Sequence, residues 1–192
     1  AGALISFSCD LIYMAPGTSM GAAAPVIMSP EGGAAAADEK SVSAIRVQMA
    51  ALAEKNGYPQ AIALAMVDKD TEVLEAWVDG ELQVLTREDF EDLKRTAEKE
   101  GKTVEEGKIV SQKGKLLSLT SGEMEKYKVS SGSPESLEEL KQSLGISGKR
   151  IVQLEPTGAD AAVSLLTGAA FTSLLLTIGM ITLFIEITSP GF

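Results

Sequence analysis

From Ala161 to Ile185 the chain carries no charged residue. A run like this is either buried in a protein core or crosses a bilayer as a helix, for which about 20 apolar residues suffice. Its length favours the crossing, since uninterrupted apolar runs of core elements are shorter. The scattered Ser and Thr do not forbid it, because their hydroxyls bond back to helix carbonyls. Asp160 and Glu186 bracket the run and Pro190-Gly191 ends it. A transmembrane helix is therefore expected over about 165–187. Lys and Arg can be counted on one side of the span alone, so the positive-inside rule sets no orientation.

The 192 residues leave room for one soluble domain ahead of that span, and the expected division is 1–154 and 155–192. There are 17 Lys+Arg against 27 Asp+Glu, a net of -10. This acidity argues against nucleic acid as a partner, because phosphate binding needs basic clusters. The acids spread over helical surfaces, the pattern of a solvated face. Cys9 is the single cysteine, so no internal disulfide forms. With no histidine and one thiol, no zinc cage can be built, and neither metal nor cofactor is expected. The missing histidine also excludes a Ser-His-Asp triad within these residues. Ala1 to Cys9 is too short to be a signal peptide, and Asp10 interrupts it.

Between the ends, short strands alternate with helices, which points to an α/β layer fold. Ala1 to Cys9 reads as the body of a buried helix. Leu11 to Ala15 reads as a short strand ended by the turn pair Pro16-Gly17, and Thr18 to Val26 as a packed loop with a second strand. Ser29 to Asp38, with Pro30, Gly32, Gly33 and four alanines, reads as a mobile loop. Val42, Ile45, Met49 and Leu52 share one face of a helix from Lys40 to Asn56, N-capped by Asp38 and stopped at Asn56-Gly57. A second helix covers Pro59 to Val67. Asp79-Gly80 turns a hairpin within Glu72 to Leu85, with Trp77 as a packing anchor. Thr86 to Glu100 is a charged helix, and Gly107 to Leu119 a pair of strands around Gly114. Thr120-Ser121-Gly122-Glu123 has the spacing of a capping box. Ser133-Pro134-Glu135 starts a helix with Leu137, Leu140 and Leu144 inward, and Ile151 to Leu154 reads as the last strand. Met14, Met20, Met28, Met49 and Met66 read as gap-filling core residues.

Several stretches in order resemble one known family. Ala1-Gly2-Ala3 resembles the residues after the serine of an S-A-G element. Ile12-Tyr13-Met14-Ala15-Pro16-Gly17-Thr18-Ser19-Met20-Gly21-Ala22 is the most specific piece. Met66-Val67-Asp68-Lys69-Asp70, Gly114-Lys115-Leu116-Leu117-Ser118-Leu119-Thr120, and Glu186 with Pro190-Gly191-Phe192 follow in the right order. Together they resemble the NfeD family of ClpP-like membrane proteases, most weakly across Gln83 to Val110, which looks like an insertion. The resemblance implies a partial ClpP/crotonase-like fold followed by a C-terminal transmembrane helix. It also implies that the nucleophilic serine belongs just ahead of Ala1, so that the chain is a fragment carrying the base without its nucleophile.

Family members use a serine–lysine dyad, and Lys40 stands where the lysine belongs. A hydroxyl is a poor nucleophile until a base takes its proton, and lysine serves when desolvation or positive potential depresses its pKa. The first turn of a helix supplies such potential, while Asp38 and Glu39 oppose it. Spacing alone leaves Lys40 an ordinary solvated lysine; the resemblance makes it the candidate general base. Lys55 and Lys69 fall too late in the pattern. By the same analogy the backbone N–H of Ala1 belongs to the oxyanion hole. Ser6, Ser8 and Ser19 are substitute nucleophiles, more simply read as hydroxyls satisfied by packing.

What the resemblance implies for function is a membrane-anchored serine endopeptidase that cleaves apolar segments of stomatin-like or flotillin-like membrane proteins. The tether would raise the effective concentration of substrates held at the same surface. It further implies an integral protein of the cell membrane, a protease domain on the extracytoplasmic side, and a homo-oligomer. The alternatives are a non-catalytic scaffold partner of stomatin or flotillin assemblies and a crotonase-type acyl-CoA enzyme. The apolar span speaks against the last.

Overall fold

The structure is a computed structural model and describes residues 2–28, 33–155 and 157–189. The chain divides into two compact units, Ala1–Ser147 and Gly148–Phe192. The first unit opens with helix α1 (Gly2–Phe7) and the short strands β1 (Ser19–Gly21), β2 (Val26–Met28) and β3 (Ala34–Ala36). Helices α2 (Glu39–Asn56) and α3 (Gln60–Val67) follow, then β4 (Val73–Val78), β5 (Glu81–Thr86), α4 (Arg87–Glu100) and β6 (Val104–Ser111). Strand β7 (Ser118–Thr120) leads into α5 (Ser121–Lys126) and α6 (Leu137–Ser143). The second unit holds α7 (Gly158–Thr167) and α8 (Ala169–Thr188). Among the described residues the strands form three small antiparallel sheets: β1 with β7, β2 with β3, and β5-β4-β6.

Helix α2 forms where the sequence predicts it. The Asp38 carboxylate accepts from the Ser41 N–H at 3.1 Å, and hydrogen bonding from Ser41, its side chain first and this N–H second, holds the carboxyl below its usual value. At the other end Gly57 is left-handed, with φ 73°. Gly57 N–H bonds to Glu54 and Tyr58 N–H to Ala53, the paired bonds of a Schellman stop. That stop aims two side chains at the end of α1. Asn56 Nδ2 donates to the Phe7 carbonyl at 2.7 Å, and the Tyr58 hydroxyl donates to the Cys9 carbonyl at 2.9 Å. The Phe7 and Tyr58 rings meet edge to face, 5.6 Å between centroids. Around this clamp lies the main core, in which Phe7, Met49, Ile62, Met66, Val73 and Met124 are fully buried.

Strand β4 is central and covered on both sides, so Val73, Leu74, Glu75 and Ala76 are all buried. Leu74 and Ala76 pack with Phe90 of α4 in a second small cluster, while Val73 belongs to the main core. The hairpin turn is as read: Asp79 and Gly80 both have positive φ, 50° and 85°. Arg87 at the start of α4 bonds to Glu72 at 2.8 Å and to Glu106 at 2.7 Å, tying the helix across the sheet. The Thr120–Glu123 capping box is present.

Several expectations are corrected. Helix α1 spans six residues and buries one face: Ile5 is exposed, and Ser8 lies beyond the helix in solvent. Leu11 to Ala15 makes a single bridge, Tyr13 to Gly132, because its main chain bonds to a loop and not to a strand. The alanines read as a mobile loop form β3, paired residue for residue with β2; residues 29–32 lie outside the described part. Strands β6 and β7 are not partners around Gly114. Each joins a strand distant in sequence, β4 and β1. Trp77 is 42% exposed because it sits past the covered part of β4. Helix α6 is N-capped by Ser136 and buries none of its residues; Leu137 within it and Leu144 at its C-cap are both exposed. Ile151 to Leu154 form no strand and are exposed.

The uncharged run is two helices, not one. Gly168 takes extended dihedrals (φ -62°, ψ 143°) and separates α7 from α8. Helix α8 has 20 residues, so it is about 30 Å long, the thickness of a hydrocarbon core. By length and composition it is a candidate membrane span. Its hydroxyls bond back to the helix as anticipated, Thr177 to Ser173 O at 2.8 Å and Thr182 to Ile178 O at 2.9 Å. Glu186 lies inside the last turn of α8; Pro190, Gly191 and Phe192 lie outside the described residues.

Two glycine substitutions separate strain from collision. A Cβ at Gly57 meets nothing within 4 Å, so Gly57→Ala should cost about 1 kcal/mol from the left-handed φ alone. A Cβ at Gly21 would stand 2.3 Å from the Leu117 carbonyl and 2.5 Å from Ser118 Cα, both backbone atoms. Gly21→Ala should therefore cost about 3 kcal/mol or more. Urea denaturation of the two variants checks the order.

Candidate functional site

The segment after α1 builds a cleft. Ala15-Pro16-Gly17-Thr18 closes a turn in which Thr18 N–H bonds to Ala15 O at 3.3 Å, with Gly17 at φ 78°. Proline at the second position and a positive-φ glycine at the third are what a type II turn requires. The chain then enters β1, in register with β7 as Ser19–Thr120, Met20–Leu119 and Gly21–Ser118. Gly21 permits the backbones to touch, and Ala22 N–H reaches the Leu117 carbonyl at 2.8 Å. The opposite wall is the first turn of α1. A hollow of about 480 Å³ lies between Gly2, Ala3 and Ser6 on one side and Thr18 to Ala23 on the other.

Ser6 and Ser19 line this hollow, and no carboxylate, lysine or arginine does so among the described residues. Hydroxyls are present without a base. Lys40 is the second residue of α2 and is solvent-exposed; it is not on the wall of the cleft. It forms no ion pair among the described residues. Strand β3, bonded to β2, carries the chain into α2, and the Ala37 N–H to Pro25 O bond of 3.2 Å ties the two segments together. Lys40 is thus linked to the end of β1 through Ala22 to Pro25. Ala1, the expected oxyanion donor, lies outside the described residues. Among the described residues no group of three His, Cys, Asp or Glu side chains could hold a metal ion.

Sequence reasoning missed a partly buried polar cluster on β4. Glu75, buried on β4, accepts a 2.8 Å bond from the Tyr127 hydroxyl and an ion pair from Lys126, which also lies 5.1 Å over the Tyr127 ring. Burial raises the Glu75 carboxyl, but the bonds from Lys126 and Tyr127 outweigh it and hold it below its ordinary value. Burial, and then donation to Glu75, pushes the Tyr127 hydroxyl above 10.0. The available signal was a lone acid inside the otherwise apolar Val73 to Val78. A larger hollow, about 750 Å³, lies between Arg46, Asp68 and α4. Its arginines are already engaged, Arg46 with Asp68 at 2.8 Å and Arg87 with Glu72 and Glu106. That hollow is bounded by structural ion pairs.

With this geometry in hand, likeness to other proteins becomes informative. Residues 1–106 match the family described as NfeD1b, N-terminal domain. The chain belongs to this family. The match runs through residues 83–106, so the stretch that looks inserted falls mostly within the family's domain. The membrane protein NfeD1b of Bacillus subtilis (strain 168) is 30% identical over 191 residues, covering 100% of this chain and 35% of that protein. The chain therefore spans about a third of the length of this curated relative. Among solved structures, the membrane-bound stomatin-specific protease 1510-N, a lysine-to-alanine variant in complex with a substrate peptide, is similar with a TM-score of 0.53. Identity is 21%, over 86% of this chain and 63% of that one. This likeness shows the fold: a mixed α/β domain, with the candidate span following in this NfeD1b-family chain.

The buried cluster sets a pH test. Because the folded Glu75 carboxyl titrates below the ordinary 4.5, its stabilisation is present above that pH and lost as pH falls through the folded value. Glu75→Gln should lower stability at neutral pH by about 2 kcal/mol and flatten the acid limb of the stability profile. Thermal midpoints measured from pH 3 to 7 provide the check.

Proposed function

We propose that this chain is part of a membrane-anchored serine endopeptidase in which Lys40 is the general base for a serine supplied by the residue preceding Ala1. The observation that carries the reading is the cleft beside the first turn of α1, which is lined by hydroxyls and small residues and, among the described residues, has no carboxylate, lysine or arginine on its wall. Family membership and the fold shared with a stomatin-specific protease support it. In this reading the serine hydroxyl attacks the scissile carbonyl of a peptide beside β1. Lys40 accepts the proton, and the Ala1 amide N–H steadies the developing oxyanion. The substrates are apolar segments of stomatin-like or flotillin-like proteins. Helix α8 holds the domain at the same membrane, on its extracytoplasmic side, and the domain works as a homo-oligomer.

One observation favours a second reading, a non-catalytic partner of stomatin-like assemblies. Lys40 is exposed and stands off the cleft wall. A base must come within about 3 Å of the proton it takes, although apo sites are often loose and tighten on substrate.

The test uses the full-length protein with its native residue ahead of Ala1. Lys40→Ala should lower kcat/KM for an apolar peptide by about 10² to 10⁴ while leaving the thermal midpoint in place. Cleavage at an undiminished rate would remove Lys40 from the mechanism. A full-length protein with neither Ser nor Thr at that preceding position would favour the scaffold.

A further inference from the structure

The uncharged run is longer than one crossing needs. Helix α8 alone is about 30 Å long, the full depth of a hydrocarbon core, so α7 is surplus to the span. The two helices do not continue one another. Gly168 has ψ 143° where a helix has about -42°, which turns the chain at a single residue. The corner is tight: a Cβ at Gly168 would stand 3.2 Å from the Ser164 carbonyl oxygen and 3.3 Å from that of Leu165. With α8 filling the core of a bilayer, α7 ends one residue from the point where the chain enters it.

Helix α7 has two unlike faces. Asp160, Ser164 and Thr167 fall at i, i+4 and i+7 and form one polar stripe. Ala162, Leu165 and Leu166 form the opposite face, flanked by Ala161 and Val163. No residue of the helix is buried, and Val163, Leu165 and Leu166 are 59%, 68% and 55% exposed. The polar stripe finds partners locally: Asp160 closes a capping box with Thr157, and the Thr167 hydroxyl donates to the Val163 carbonyl at 2.8 Å. What α7 lacks is cover for its apolar side.

We infer that α7 lies flat in the boundary layer of the bilayer, with Ala162, Leu165 and Leu166 among the upper acyl chains and Asp160, Ser164 and Thr167 toward water. The chain itself selects lipid as the occupant. Helix α7 is joined by one residue to a helix that fills the hydrocarbon core, so its apolar face is held at the membrane boundary. A helix with one apolar face settles in that layer about 5 to 10 Å deep. Headgroup charge is not what draws it there. Between Gly148 and Gly168 the charged residues are Lys149, Arg150, Glu155 and Asp160, two of each sign. Lying flat, α7 fixes the depth at which the first turn of α8 enters the bilayer. The inference rests on α8 crossing the membrane, which belongs to the reading above, and not on the peptidase chemistry.

The test places one nitroxide at a time on the whole chain in phosphatidylcholine vesicles, with Cys9→Ser removing the exposed native thiol. Ala162→Cys, Ser164→Cys, Leu165→Cys, Leu166→Cys and Thr167→Cys sample α7, and Leu175→Cys and Ile178→Cys sample α8 as the control. Collision with oxygen reports lipid, and collision with a water-soluble nickel chelate reports water. Labels replacing Ala162, Leu165 and Leu166 should favour oxygen at depths of about 5 to 10 Å, and those replacing Ser164 and Thr167 should favour nickel. With both α8 labels deep in lipid, any of three results overturns the proposal. Oxygen at every α7 label, with depth growing steadily toward Gly168, would make α7 a continuation of the span. Nickel at every α7 label would leave the helix in water. Shielding of the Ala162, Leu165 and Leu166 labels from both reagents would make the cover protein, either this chain or a second copy. Nickel access at the α8 labels would instead remove the span, and the inference with it, so the two failures read differently.

Discussion

The position of α1, and with it the cleft at its first turn, depends on the stop at Asn56-Gly57-Tyr58. Helix ends leave carbonyls without partners, and burying them unpaired costs about 1 to 3 kcal/mol each. Phe7 and Cys9 have such carbonyls at the end of α1, and the residues on either side of Gly57 satisfy both. The left-handed glycine reverses the chain so that Asn56 and Tyr58 reach the same target from one corner. A six-residue helix has too few internal bonds to persist by itself, so its location is borrowed from α2 and α3.

From that anchor the cleft follows by close backbone approach. Gly21 allows β1 to press against Leu117 and Ser118 at separations that no side chain would permit. Leu117 in turn donates its N–H to the Ala65 carbonyl of α3 at 2.9 Å, so β7, β1 and α3 form one bonded series. Both walls of the hollow therefore trace to the α2–α3 corner, one through α1 and the other through β7. The α4 lobe is attached differently, through β4 and the Glu75, Lys126 and Tyr127 cluster.

How much of this was legible in the sequence depended on the range of the interaction involved. Asp38, Gly57, Asp79-Gly80 and the Thr120–Glu123 box were readable because each acts within four residues of itself. The strand partners were not. Residues 34–36 look like a loop by composition, yet β2 lies beside them and alanine offers a strand no obstacle. Leu137 and Leu144 have helical spacing but no core above them. Spacing announces a face without saying what covers it. Lys40 was chosen through family resemblance, and its place at the head of α2 was foreseen; its distance from the cleft wall was not.

Local signals and composition determined, without coordinates, that the chain is an acidic α/β domain followed by an apolar helix long enough for a bilayer. Caps, turns and hydrophobic period are short-range properties that every residue carries with it. Tertiary structure alone decided that β6 and β7 part company, that Gly168 divides the apolar run, and that Glu75 is buried against Lys126 and Tyr127. Each of these rests on which distant segments meet, and that choice comes from the packing of the whole domain and not from any window of its sequence.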